Sequence, residues 1–130
     1  MKLKTSELTG LALNWVVAQA QGMHVEFNKY FQDAVEIIVP EDDIEYDNDG
    51  YPTSQIYSPS TAWSDGGWII EREGLLVRPS FTDERDKWTS IQWAPKAVFE
   101  SGPTPLIAAM RCYVASKFGD EVDVPLPEEE

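Results

Sequence analysis

The sequence has one cysteine and one histidine in 130 residues. A lone cysteine, Cys112, excludes an internal disulfide and fits a reducing compartment. One histidine beside one cysteine excludes the ordinary zinc clusters within a single chain, so no metal is expected. No apolar run approaches the ~18 residues of a membrane span. Glu7 arrives before any apolar stretch that a secretory leader would need, so no leader and no membrane association are expected. Basic residues are scarce: ten Lys and Arg stand against 23 Asp and Glu, a net charge of −13. That disfavours direct nucleic-acid binding, in which Lys and Arg neutralise phosphates. Gly66-Gly67 is not followed by Lys-Ser/Thr, which excludes a phosphate loop, and no cofactor is expected.

What is present belongs to a globular protein: 42% apolar and 12% aromatic residues. The length fits one domain, read here as residues 1–124, with an acidic insertion at 31–55 and an acidic tail at 125–130. Eight acids and no base fall between Phe31 and Gly50, and six more acids between Asp120 and Glu130. Glu45, Asp47, Asp49 and Gly50 match the opening of an EF-hand loop. Its closing position is then Ile56 instead of Glu, and no helix pattern flanks it, so a solvated acidic loop is the reading kept.

The chain is organised around Tyr57 to Arg78. Ser58, Pro59 and Ser60 are turn formers. Asp65-Gly66-Gly67 can supply a tight bend, and Trp68-Ile69-Ile70 and Leu75-Leu76-Val77 read as strands broken at Glu73-Gly74. This segment is therefore expected to be a β-hairpin. Before it, Thr9 caps a helix running to about Gln21, Leu8 and Leu13 sit at hydrophobic-staple positions, and Gly22 is the stop. Leu13, Val16, Val17 and Ala20 form one stripe, with Leu11, Trp15 and Ala18 opposite. A helix apolar on two faces is buried on two faces. It is expected between the sheet and either the second helix or another subunit, which makes a homodimer one expectation.

Met23–Phe27, Asp33–Val39 and Trp88–Trp93 read as strands, Pro79–Lys87 as a loop, and Glu121–Val124 as an edge strand. The second helix starts at Thr104, with Pro105 at its first position, and ends at Gly119. The expected class is α+β: a mostly antiparallel sheet of four to six strands, with an N-terminal and a C-terminal helix packed on one face.

Three pieces together resemble the phage NinX-like family of small lambdoid phage and prophage proteins. The first is Thr5-x-Glu7-Leu8-Thr9-Gly10 with Leu13, Trp15 and Val16-Val17-Ala18. The second is Tyr57-Ser58-Pro59-Ser60-Thr61-x-Trp63-x-x-Gly66-Gly67, then Ile69 to Glu73. The third is Gly102-Pro103-Thr104-Pro105 through Arg111, then Tyr113 to Val122. Ala62 stands where the family pattern often has Asp, and Trp68 where it often has Pro. The resemblance implies phage origin and action in the cytoplasm of a bacterial host. It names no activity.

Two candidate sites follow. Tyr57, Ser60, Thr61, Trp63, Trp68 and Arg72 combine aromatic faces, hydroxyls and a guanidinium, a mixture suited to a planar or phosphorylated, nucleotide-like ligand. Asp42, Asp43, Glu45, Asp47 and Asp49 offer an acidic surface to a partner. No catalytic residue is assigned. His24 and Cys112 have no motif around them, and Glu71 and Glu73, read as one strand face, are taken as solvated charges. Arg111 either forms a salt bridge or lines a groove. The expected function is a non-catalytic accessory protein that binds a bacterial host component, such as a defence or nucleic-acid-processing protein. The alternative is a small-ligand binder, and an enzyme comes third.

Overall fold

A computed structural model describes residues 1–29, 35–38, 48, 56–81 and 84–125. The expected α+β class holds, with helices near both ends and antiparallel strands between them. The described strands divide among three small sheets. β1 (Lys2–Lys4) pairs with β7 (Glu121–Asp123), and β2 (Glu26–Lys29) with β3 (Val35–Ile38). β4 (Leu76–Pro79), β5 (Trp88–Gln92) and β6 (Val98–Gly102) form a three-stranded meander. A 3₁₀ turn, Thr5–Glu7, links β1 to the first helix.

The centre is α3 (Pro105–Phe118), buried almost continuously from Leu106 to Val114. Its start follows from sequence chemistry. The Thr104 hydroxyl accepts from the Ile107 amide at 3.1 Å, and Pro105 fills a position that needs no N–H. One side packs on the meander, where Gly102 lets the helix backbone approach. A Cβ there would meet the Ala108 nitrogen at 2.7 Å. The other side meets α1 (Gly10–Ala20) and α2 (Trp63–Glu73). Leu13, Val16, Val17, Ile69, Met110, Tyr113 and Val114 meet in this core.

α1 is buried on two faces, as its pattern predicts. Leu8 and Leu13 are both buried at the staple positions. Gly22, at φ 71°, closes the helix, with the Met23 amide donating to Ala18 O at 3.0 Å. The second face is covered within the chain: Trp15 stacks on Phe27 of β2, centroids 6.1 Å apart and planes 8° apart.

The expected hairpin at Trp68–Val77 is overturned. Trp63–Glu73 is a helix, α2, and only its exit, Leu76–Pro79, is strand. The run Trp68-Ile69-Ile70 looks β-like because it is apolar and β-branched. Its burial nevertheless has a helical period: Gly66 and Ile69 are buried, while Trp63, Ser64, Trp68, Glu71 and Arg72 are exposed. Gly66 is needed for closeness and not for a bend. A Cβ would lie 2.3 Å from Pro59 O and 2.9 Å from Leu106 Cδ2. Gly74, left-handed at φ 64°, stops the helix. Glu71 and Glu73 therefore do not share a strand face; two residues apart on a helix, they diverge.

Candidate binding surface

The approach to α2 is built by Asn14, a polar residue in the buried part of α1. Its carbonyl oxygen accepts from the Ser60 amide at 3.0 Å, and its NH₂ donates to Ser58 Oγ at 3.2 Å. Ser58 Oγ and Thr61 Oγ1 lie 2.6 Å apart. The Ser58 amide donates to Asp65 Oδ2 at 2.9 Å, tying the turn to the first turn of α2. Ser60 is buried, and its hydroxyl has no hydrogen-bond partner among the described residues. The hydroxyls of Ser58 and Thr61 thus hold a turn in place, while Thr61 itself stays exposed.

Further along α2, Arg72 is held on several sides. Its Nε donates to Glu73 Oε2 at 2.9 Å, Nη1 to Gln21 Oε1 at 3.1 Å, and Nη2 to Tyr113 Oη at 3.2 Å. The guanidinium lies over the Trp68 ring, 4.9 Å from its centroid, and 5.7 Å from that of Tyr113. Gln21 also donates to the Tyr57 hydroxyl, which extends the network inward. The bond to Glu73 raises the Arg72 pKa, so its charge is permanent. Burial pushes Tyr57 up to about 12 and Tyr113 in the same direction.

Tyr57, Trp68 and Arg72 therefore belong to one cluster, together with Gln21 and Tyr113, which sequence reading missed. Trp63 sits one helical turn before Gly67, and its ring would be 3.3 Å from a Cβ placed there. Trp63 and Trp68 keep 58% and 51% of their surface exposed, so neither is a core residue. Ser60 and Thr61 lie at the turn that precedes α2. Asp42, Asp43, Glu45, Asp47 and Asp49 lie outside the described residues.

Elsewhere, Arg111 is a structural arginine. It is buried, and donates from Nε to Leu8 O and from Nη1 to Ser101 O, each at 2.8 Å. Cys112 is buried, which raises its pKa, and its thiol faces Val98 O at 3.5 Å. Among the described residues no group of three or more His, Cys, Asp and Glu side chains is placed to hold a metal. None of the described helices is long and apolar enough to cross a membrane.

The family model described as Bacteriophage P22, NinX matches residues 4–117. The chain belongs to this NinX family. The match spans the turn, α2 and α3, so the Arg72 cluster lies within the NinX region. A search of the curated proteins finds no match. Among solved structures, the NinX chain is similar to a 2.0 Å crystal structure of a phage protein from Bacillus cereus ATCC 14579. The TM-score is 0.52 at 17% identity, over 85% of this chain and 95% of that one, a likeness of fold. Ala62, where the resemblance expects Asp, is the N-cap of α2 and makes no side-chain cap bond. An Asp at that position is what a helix N-cap favours.

Proposed function

We propose that this NinX-family protein is a non-catalytic phage accessory protein that binds a protein of the bacterial host through the solvent face of α2. The observation that carries the reading is the exposure of two indoles on α2, Trp63 and Trp68, the second of them stacked with a guanidinium already fixed by three hydrogen bonds. Trp, Tyr and Arg dominate binding energy at protein interfaces. A side chain locked before binding loses little entropy on docking. The titratable groups of the cluster are poised far from neutral pH, with Tyr57 near 12, which suits recognition better than proton transfer.

The nucleotide-like ligand remains the second reading. It is favoured by the stacked Arg72–Trp68 pair, which offers an aromatic plane beside a fixed positive charge. One experiment separates the two: native mass spectrometry of protein purified gently from its bacterial host, wild type against Trp63→Ser/Trp68→Ser. A host protein bound at fixed ratio and lost in the double variant supports the α2 surface. Retention there, with loss when Asp42, Asp43, Glu45, Asp47 and Asp49 are neutralised, moves the contact to the acidic segment. A small-molecule adduct lost in Arg72→Ala supports the ligand reading instead.

A further inference from the structure

β7 offers a second, separate surface. Thr5 N–H donates to Asp120 O and Val124 N–H to Met1 O, both at 2.8 Å. In an antiparallel ladder the hydrogen-bonded pairs alternate. The backbone groups of Asp120, Val122 and Val124 therefore point to β1, and those of Glu121 and Asp123 point the other way. Among the described residues, β1 is the only sheet neighbour of β7. Glu121, Val122 and Asp123 of β7 line a groove of about 410 Å³ together with Trp15, Val16, Gln19 and Phe118. Phe118 is partly exposed, and Trp15 is held by its stack on Phe27. A strand edge with no described neighbour beside an apolar groove is the layout in which a peptide adds as an extra strand.

The charges decide the occupant. Glu121 and Asp123 are exposed on one face of β7, and Val122 packs inward with Leu3. A second copy pairing antiparallel about Val122 would set Glu121 opposite the copy's Asp123, twice, and like charges directly opposite destabilise a sheet. Lys4 and Lys2 face these acids from β1 on the inner side, and Asp123 also binds the Met1 ammonium at 2.9 Å. Both acids also line the groove. We infer that β7 is a strand-addition site for an extended segment of a partner protein in which basic residues alternate with apolar ones. The bases would lie opposite Glu121 and Asp123, and the apolar residue between them opposite Val122, above Trp15 and Phe118. This surface stands independently of the α2 face.

The probe is a labelled Lys-Val-Lys-Val-Lys peptide, with binding followed by fluorescence anisotropy and by amide NMR of the whole chain. The expected result is saturable binding with the largest amide shifts at Glu121 and Asp123. Affinity should fall at least tenfold in Glu121→Lys, and also when the peptide amides that face β7 are N-methylated. Phe118→Ser, which removes an apolar lining residue and changes no charge, should weaken binding severalfold while leaving the fold intact by NMR. Three results overturn the inference. One is no binding to the folded wild type at millimolar peptide. Another is undiminished binding of the N-methylated peptide, which keeps the charge and loses the donors. The last is a dimer of the protein itself, abolished by Glu121→Pro.

Discussion

Arg72 and Arg111 are two arginines on neighbouring helices with opposite fates. Arg111 is buried and spends its donors on backbone carbonyls of two other segments, Leu8 and Ser101, with Asp86 at 3.8 Å. Burial lowers its pKa, the cost of holding a charge away from water. Arg72 is partly exposed and spends its donors on side chains: a carboxylate, an amide and a phenol. Carbonyl partners fix the path of the chain. Side-chain partners fix only the orientation of the arginine itself. The contrast shows which guanidinium the fold depends on and which one it presents outward.

The sharpest way to break the comparison is to remove each charge in turn. Arg111→Ala leaves Leu8 O and Ser101 O without their donor and Asp86 less compensated, and should cost about 3–5 kcal/mol in urea unfolding. A loss under about 1 kcal/mol would make Arg111 no more structural than Arg72.

Alkaline titration probes the inner end of the Arg72 network. Unfolded tyrosine ionises near pH 10, and folded Tyr57 near 12. Because the folded value is the higher, this contribution is complete below pH 10 and is lost as pH rises towards 12. Stability should drop by about 2–3 kcal/mol across that window. Tyr57→Phe should flatten the slope.

Two adjacent glycines test whether α2 is packed as described. Gly66→Ala forces a Cβ into the Pro59 carbonyl, which is backbone and cannot move aside, and should cost about 2 kcal/mol or more. Gly67→Ala meets only the ring of Trp63, which is exposed and free to shift. It should be neutral or stabilising by up to about 1 kcal/mol. Equal costs at both positions would contradict the helix register.

The smallest effect is expected at Arg72 itself. Arg72→Ala should cost under about 1 kcal/mol, because its ion pair with Glu73 is partly solvated. Partner binding should nevertheless fall at least tenfold. A large stability loss there would make the surface cluster part of the core.

Where local chemistry decides, the sequence was readable. The ends of α1 and α3 lie at or within a residue of the positions that Thr9, Gly22, Thr104, Pro105 and Gly119 mark. Where a long-range contact decides, it was not. Gly66 looks like a bend residue until the Pro59 carbonyl is placed against it. β1 has no signal in Lys2-Leu3-Lys4 alone, because its partner lies at the other end of the sequence. β6 was missed because Val98 to Gly102 has only Val98 and Phe99 as strand formers. Arg111 could not be assigned, since its partners Leu8, Ser101 and Asp86 are far from it in the chain. The candidate site was half legible. Tyr57, Trp68 and Arg72 fall within one short stretch, whereas Gln21 arrives from the C-terminal cap of α1 and Tyr113 from α3. Asn14 did leave a mark, as a polar residue inside an otherwise apolar helix stripe.

The pairing of residues 2–4 with 121–123 has a consequence for synthesis on the ribosome. β1 waits for β7. Until α3 has also left the exit tunnel, the buried side chains of α1 have no helix to pack on and Leu8 O has no guanidinium. A contact so far apart in sequence closes late and slowly. The nascent chain should therefore stay protease-sensitive and chaperone-accessible until β7 has emerged, then become resistant in a single step.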